Sequence, residues 1–112
     1  MPNALLSSIE WHDLPVYGIH IEESGLSLVV TPYNAVTDTY DTRILRITDA
    51  EHVDVRMTGT LTAEDLLSME VARFDYSVAP SGRITGTLGL LPGDAGYWAL
   101  SFTDARWELV NA

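Results

Sequence analysis

The sequence predicts a mainly β protein: about nine antiparallel strands arranged as a sandwich or a closed, barrel-like sheet, with one short helix near residues 62–69. Apolar and polar residues alternate with a period of two through most of the chain, the pattern of strands with one buried face. Turn-forming residues interrupt that alternation at short intervals. Where neighbouring runs are folded back on such a turn, their apolar residues fall on one face in a single register. So many strands exceed what one open sheet with one covered face accommodates; sandwich and barrel both remain open. The 112 residues fit one domain spanning 1–112, and with 46% apolar residues it can build a core without a metal or disulfide staple.

The first strand is expected around "SIEW", with Ile9 and Trp11 inward and His12 outward. Asp13 before Leu14-Pro15 reads as a turn initiator whose carboxylate bonds the backbone two residues on. A hairpin around Glu23-Ser24 sets Ile21 against Leu26, Ile19 against Leu28 and Tyr17 against Val30. "NAVTDTYDT", from Asn34 to Thr42, has no clean period and reads as the longest loop. A further hairpin around Asp49-Ala50-Glu51 sets Ile47 against Val53 and Leu45 against Val55, with Arg46 beside Asp54 on the outer face. In "TAEDLLSM" Thr62 can cap a short helix, with Asp65 in its first turn and Leu66, Leu67 and Met69 on an apolar side.

From about Met69 to Val110 the pattern predicts a four-stranded meander. Pro80-Ser81-Gly82 suits a hairpin loop that pairs Val78 with Ile84, Tyr76 with Gly86, Phe74 with Leu88 and Ala72 with Leu90. Gly86 leaves room for the Tyr76 ring. A tight turn at Asp104-Ala105 would set Phe102 against Trp107 and Leu100 against Leu109. Ile44, Val71 and Leu91 then lie on the face opposite the core, a surface through which copies could associate as a homo-oligomer.

Charge narrows the function classes. Sixteen acids stand against six basic residues, all arginine, for a formal net charge of −10. Such a surface disfavours nucleic acid and anionic membrane and attracts a basic partner. With no cysteine, disulfides, thiolate nucleophiles and Cys-based zinc sites are excluded. No apolar run approaches the roughly 20 residues that span a bilayer, and "MPNALLSSIEW" has neither the basic nor the apolar segment of a signal peptide, so a cytoplasmic address is expected.

Candidate chemistry is sparse. Glu10, His12, His20 and Glu22 form two i, i+2 pairs whose side-chain types suit zinc or non-haem iron. Sharing a metal needs their strands adjacent and in register, which the Leu14-Pro15 turn does not fix, and outward His and Glu are ordinary on a solvated strand. No metal or cofactor site is therefore expected. There is no G-x-S-x-G elbow, no spacing that sets two carboxylates across a cleft and no P-loop pattern, so no catalytic residue is assigned. Asp38 and Asp41 in "TDTYDT" lack the ligand count and glycine of a calcium loop. Tyr33 and Tyr40 lie beside those acids, a composition suited to protein contact. The interaction candidates are thus His12, His20, Tyr33, Asp38, Tyr40 and Asp41. The alternative is a ligand-binding barrel or enzyme with a cavity lined by Tyr76, Trp98, Phe102 and Trp107.

At "SSIEWHDLPVYGIHIEESGLSLVV" and "RILRITDAEHVDV" the chain resembles small, mostly-β bacterial domains that open with a Trp-His-Asp strand and continue through hairpins, some of which are similar to immunity proteins of polymorphic toxin systems. The resemblance covers chiefly the first half. It implies a folding role for Trp11, His12 and Asp13, and a non-enzymatic domain that binds and neutralises a toxin; the acidic charge balance leads to the expectation that this toxin is basic.

Overall fold

The computed structural model describes residue 6 and residues 9–22, 25–58, 69–92 and 96–111, and it is mainly β, with 70% of the described residues in strands. The strands are β1 (Val16–Glu22), β2 (Gly25–Val30), β3 (Tyr33–Asn34), β4 (Thr39–Tyr40), β5 (Arg43–Thr48), β6 (His52–Met57), β7 (Met69–Val78), β8 (Ile84–Pro92) and β9 (Trp98–Asn111). Residues 62–68 of the expected helix lie outside the described residues, and Met69 opens β7.

One antiparallel sheet runs in the order β1-β2-β5-β9-β8-β7, with β6 also paired to β9, and β3-β4 form a separate two-stranded sheet. The large sheet curls as a half-barrel. Its end strands meet at one place: Pro15 bridges Glu70, Asp13 N–H donates to Val71 O at 2.8 Å, and Val71 N–H donates to Leu14 O at 2.8 Å. Contact between the ends is therefore a bridge, not the continuous ladder of a closed barrel.

β9 organises the sheet. Its second half pairs with β5 (Ile47↔Trp107, Leu45↔Leu109), and its first half pairs with β6 (Val53↔Phe102, Val55↔Leu100) and with β8 (Leu88↔Leu100, Leu90↔Trp98). Thus β5 and β6 run in line along one edge of β9, and two predicted hairpins are bends instead. Ile47 does not meet Val53, and Arg46 lies 3.2 Å from Glu108 rather than beside Asp54. Phe102 does not meet Trp107, since both belong to one 14-residue strand, so three strands replace the expected C-terminal meander of four.

The cause is local. Asp49 and Asp104 adopt left-handed backbone, with φ 51° and 50°. A short acid tolerates that region better than most side chains, and one such residue bulges a strand without reversing it. The bulge flips the inward parity of β9, from Trp98, Leu100 and Phe102 to Ala105 and Leu109, all buried.

Arg83, beside the β7–β8 turn, grips both bends. Its Nη2 donates to Asp49 O and Oδ2 at 3.0 and 3.1 Å, and its Nε donates to Asp104 O at 3.1 Å and lies 3.3 Å from Asp104 Oδ1.

Two further bulges shift parity. In β7 the register steps between Val71 and Arg73, so Val78↔Ile84, Tyr76↔Gly86 and Phe74↔Leu88 hold as predicted, while Leu90 meets Val71 rather than Ala72. Val71 is consequently fully buried in the core, not part of an outer apolar face with Ile44 and Leu91. In β1 the step falls between Val16 and Gly18, so Ile21↔Leu26 and Ile19↔Leu28 hold, but Val16 rather than Tyr17 meets Val30.

The core gathers Leu28, Val30, Leu45, Ile47, Val71, Ile84, Leu88, Leu90 and Leu100, all at 0% exposure. Phe102, 1% exposed, packs 6.2 Å from Phe74, whose ring lies 4.6 Å from Tyr76. Gly86 is required there: a Cβ would stand 2.6 Å from Asp75 O and 2.9 Å from Tyr76 Cβ.

Candidate functional site

The Trp11 segment is not a strand but a tight turn bonded to the edge of β7. Leu14 N–H donates to Trp11 O at 3.2 Å, and Asp13, at φ 64°, is the turn's left-handed residue rather than its initiator. Trp11 is buried; its Nε1–H donates to Leu6 O at 2.9 Å and its ring meets Phe74 edge-on at 5.0 Å. That satisfies the indole and anchors the turn.

His12 points outward, as the alternation predicts, yet it is held. Its Nδ1–H donates at 2.9 Å to the carbonyl of Ala72, the residue that the β7 bulge frees from the ladder with β8. This contact raises the His12 pKa above its ordinary value near 6.5, and the charges of Asp13, Glu10 and Glu70 add to it. Asp13 Oδ2 lies 3.6 Å from His12 Nε2.

Opposite this turn stands β3-β4, where the sequence pattern suggested only a loop. Tyr33 pairs with Tyr40 and Asn34 with Thr39, and the two tyrosine rings meet edge-on at 5.4 Å. Asn34 folds the connection: its Oδ1 accepts from Val36 N–H at 2.9 Å, and its Nδ2 donates to Asp41 Oδ2 at 2.8 Å. Asp38 takes the left-handed position at φ 56°. Its carboxylate accepts from the Tyr33 hydroxyl, which raises the Tyr33 pKa, with smaller contributions from desolvation and Tyr40. Asp41 N–H donates to Pro32 O at 3.1 Å, tying the end of the hairpin to its start. Asn34 was missed because an isolated Asn looks like any loop residue; the signal was the repeated step Tyr33-Asn34 and Tyr40-Asp41, a tyrosine followed each time by a short polar side chain.

Between turn and hairpin runs an open groove of about 330 Å³, with Glu10, His12 and Asp13 on one wall and Pro32, Tyr33 and Tyr40 on the other. It adjoins a second recess of about 300 Å³ that Asn34, Asp41 and Arg43 line, Ile9, Pro32 and Tyr33 being common to both. Five of the six predicted interaction residues thus belong to one surface: His12, Tyr33 and Tyr40 line the groove, Asp41 lines the recess, and Asp38 is bonded to Tyr33.

His20 does not join them. It stands on β1 opposite Ser27, its Nε2 3.1 Å from Glu22 on the same strand, and extended chain carries it roughly 16 Å beyond Pro15. Among the described residues no three His, Asp or Glu side chains are grouped to hold a metal ion. No described helix is long and apolar enough to cross a membrane.

The groove offers what protein contact uses. Tyr33 and Tyr40 present aromatic surface with 53% and 70% exposure, and acids surround them. Aromatic faces beside carboxylates receive a guanidinium or ammonium well, through cation–π and ionic attraction together. The chain matches no protein-family model, no curated protein and no solved structure.

Proposed function

We propose that the chain is a non-enzymatic, acidic protein-interaction domain that binds and neutralises a basic protein, in the manner of an immunity protein facing a toxin. The observation that carries this reading is the convergence of Tyr33, Tyr40, Asp41, Asp38 and His12 on one open surface of a molecule with net charge −10. Net charge draws a basic partner at long range, and the tyrosine-acid surface then receives its arginine or lysine side chains. An open groove fits side chains projecting from another protein better than an enclosed small ligand.

Co-expression with a basic toxin encoded beside this chain tests the reading. Rescue of growth by the wild type, with loss of rescue on Tyr33→Ala/Tyr40→Ala, supports it. Failure of the wild type to protect, or rescue untouched by the double substitution, counts against it.

A further inference from the structure

A second surface points to a different partner. β6 pairs with β9 along one edge, and no strand among the described residues covers its other edge. The phase of that ladder follows from one bond: Thr58 N–H donates to Tyr97 O. Bonding residues alternate along an antiparallel strand, so 52, 54 and 56 turn their backbone groups toward β9, while Val53, Val55 and Met57 turn theirs outward. Outward N–H and C=O groups in a row are a template for another strand.

Side chains select which strand. Asp54 and Arg56 lie on one face, joined at 3.0 Å, with 46% and 81% of their side chains exposed. We propose that β6 is a self-association edge, which pairs antiparallel with β6 of a second copy about a twofold axis at Val55. In this register Val53 meets Met57 of the second copy and Val55 meets its counterpart, so every outward amide and carbonyl of these residues finds a partner. Asp54 then stands opposite Arg56 of the second copy, twice by symmetry.

The neighbouring registers fail on charge. Centring on residue 54 opposes Asp54 with Asp54, and centring on residue 56 opposes Arg56 with Arg56. Charged residues on an edge strand ordinarily block such pairing; here they block every near register but one. Met57, 51% exposed, gains cover from Val53 of the second copy.

β7 carries a similar pair, Arg73 and Asp75 at 3.2 Å, but its complementary register would centre on Phe74 and need the outward groups of Ala72. The Ala72 carbonyl is already taken by His12. β6 has no such obstruction among the described residues.

Analytical ultracentrifugation of the full chain from micromolar to millimolar concentration tests this. The wild type should move from the 12.3 kDa chain toward twice that mass. Asp54→Arg alone or Arg56→Asp alone should weaken the dimer by about tenfold or more, and the double exchange should restore it. As a measure free of substitutions, amide exchange at Val53, Val55 and Met57 should slow with concentration, while Asp54 and Arg56, already bonded to β9, stay unchanged. A wild type that is monomeric throughout overturns the proposal; so do single variants that dimerise as well as the wild type, or a double exchange that fails to recover.

Discussion

Among the described residues four aspartates are left-handed, and they divide into two pairs with opposite uses. Asp49 and Asp104 bend the long paired strands, and Arg83 locks both bends from one side chain that is only 27% exposed. Asp13 and Asp38 shape the two walls of the groove, and their carboxylates face His12 and Tyr33 at the surface. The same residue in the same backbone region serves the framework in one place and the contact surface in the other. What differs is the partner: a shielded guanidinium that also bonds backbone carbonyls, against exposed groups that remain free to exchange.

Substitutions break the contrast in graded steps. Trp11 looks like part of the groove but belongs to the framework, so Trp11→Ala should lower global stability by about 3–5 kcal/mol in chemical denaturation. Arg83→Ala releases both bends and strands the Asp49 and Asp104 carbonyls, and should cost about 2–3 kcal/mol in the same assay. Gly86→Ala forces a methyl against Asp75 O and Tyr76, and should cost about 1–3 kcal/mol. By contrast, Tyr33→Phe removes only the exposed bond to Asp38, so stability should stay within about 0.5 kcal/mol of the wild type. Equal losses in the Arg83→Ala and Tyr33→Phe variants would erase the distinction.

The smallest effect is a titration. The His12 pKa is raised in the fold, so its contribution is complete below about 6.5 and is lost as pH rises through the folded value. NMR titration of His12 should give a midpoint above 6.5, and Asp13→Asn should bring it down. No downward movement would mean that Asp13 does not contribute and that the Ala72 carbonyl, with Glu10 and Glu70, sets the shift.

Much of this frame was legible in the residues. The Pro80-Gly82 hairpin and the inner half of the β1–β2 hairpin follow from matching apolar faces. The bends were not, because an apolar pairing test accepts Ile47 against Val53 as readily as Ile47 against Trp107. Only the parity switch between Phe102 and Ala105 distinguishes bulge from reversal, and both read as a turn until the partner strand is known. The Ala72 bulge carries no residue signal, so Val71 reads as outward when it is buried. At the site, Tyr33, Tyr40, Asp38 and Asp41 were readable from composition. That His12 would face them was not, because the Pro15–Glu70 bridge that seats the Trp11 turn is long-range.

Isothermal titration calorimetry against a basic toxin that the chain neutralises tests the contact surface most directly. Tyr33→Ala/Tyr40→Ala should weaken binding by about a hundredfold, as loss of two central aromatic contacts does, with an unchanged melting temperature. Full affinity in that variant would contradict the assignment of the groove as the contact surface.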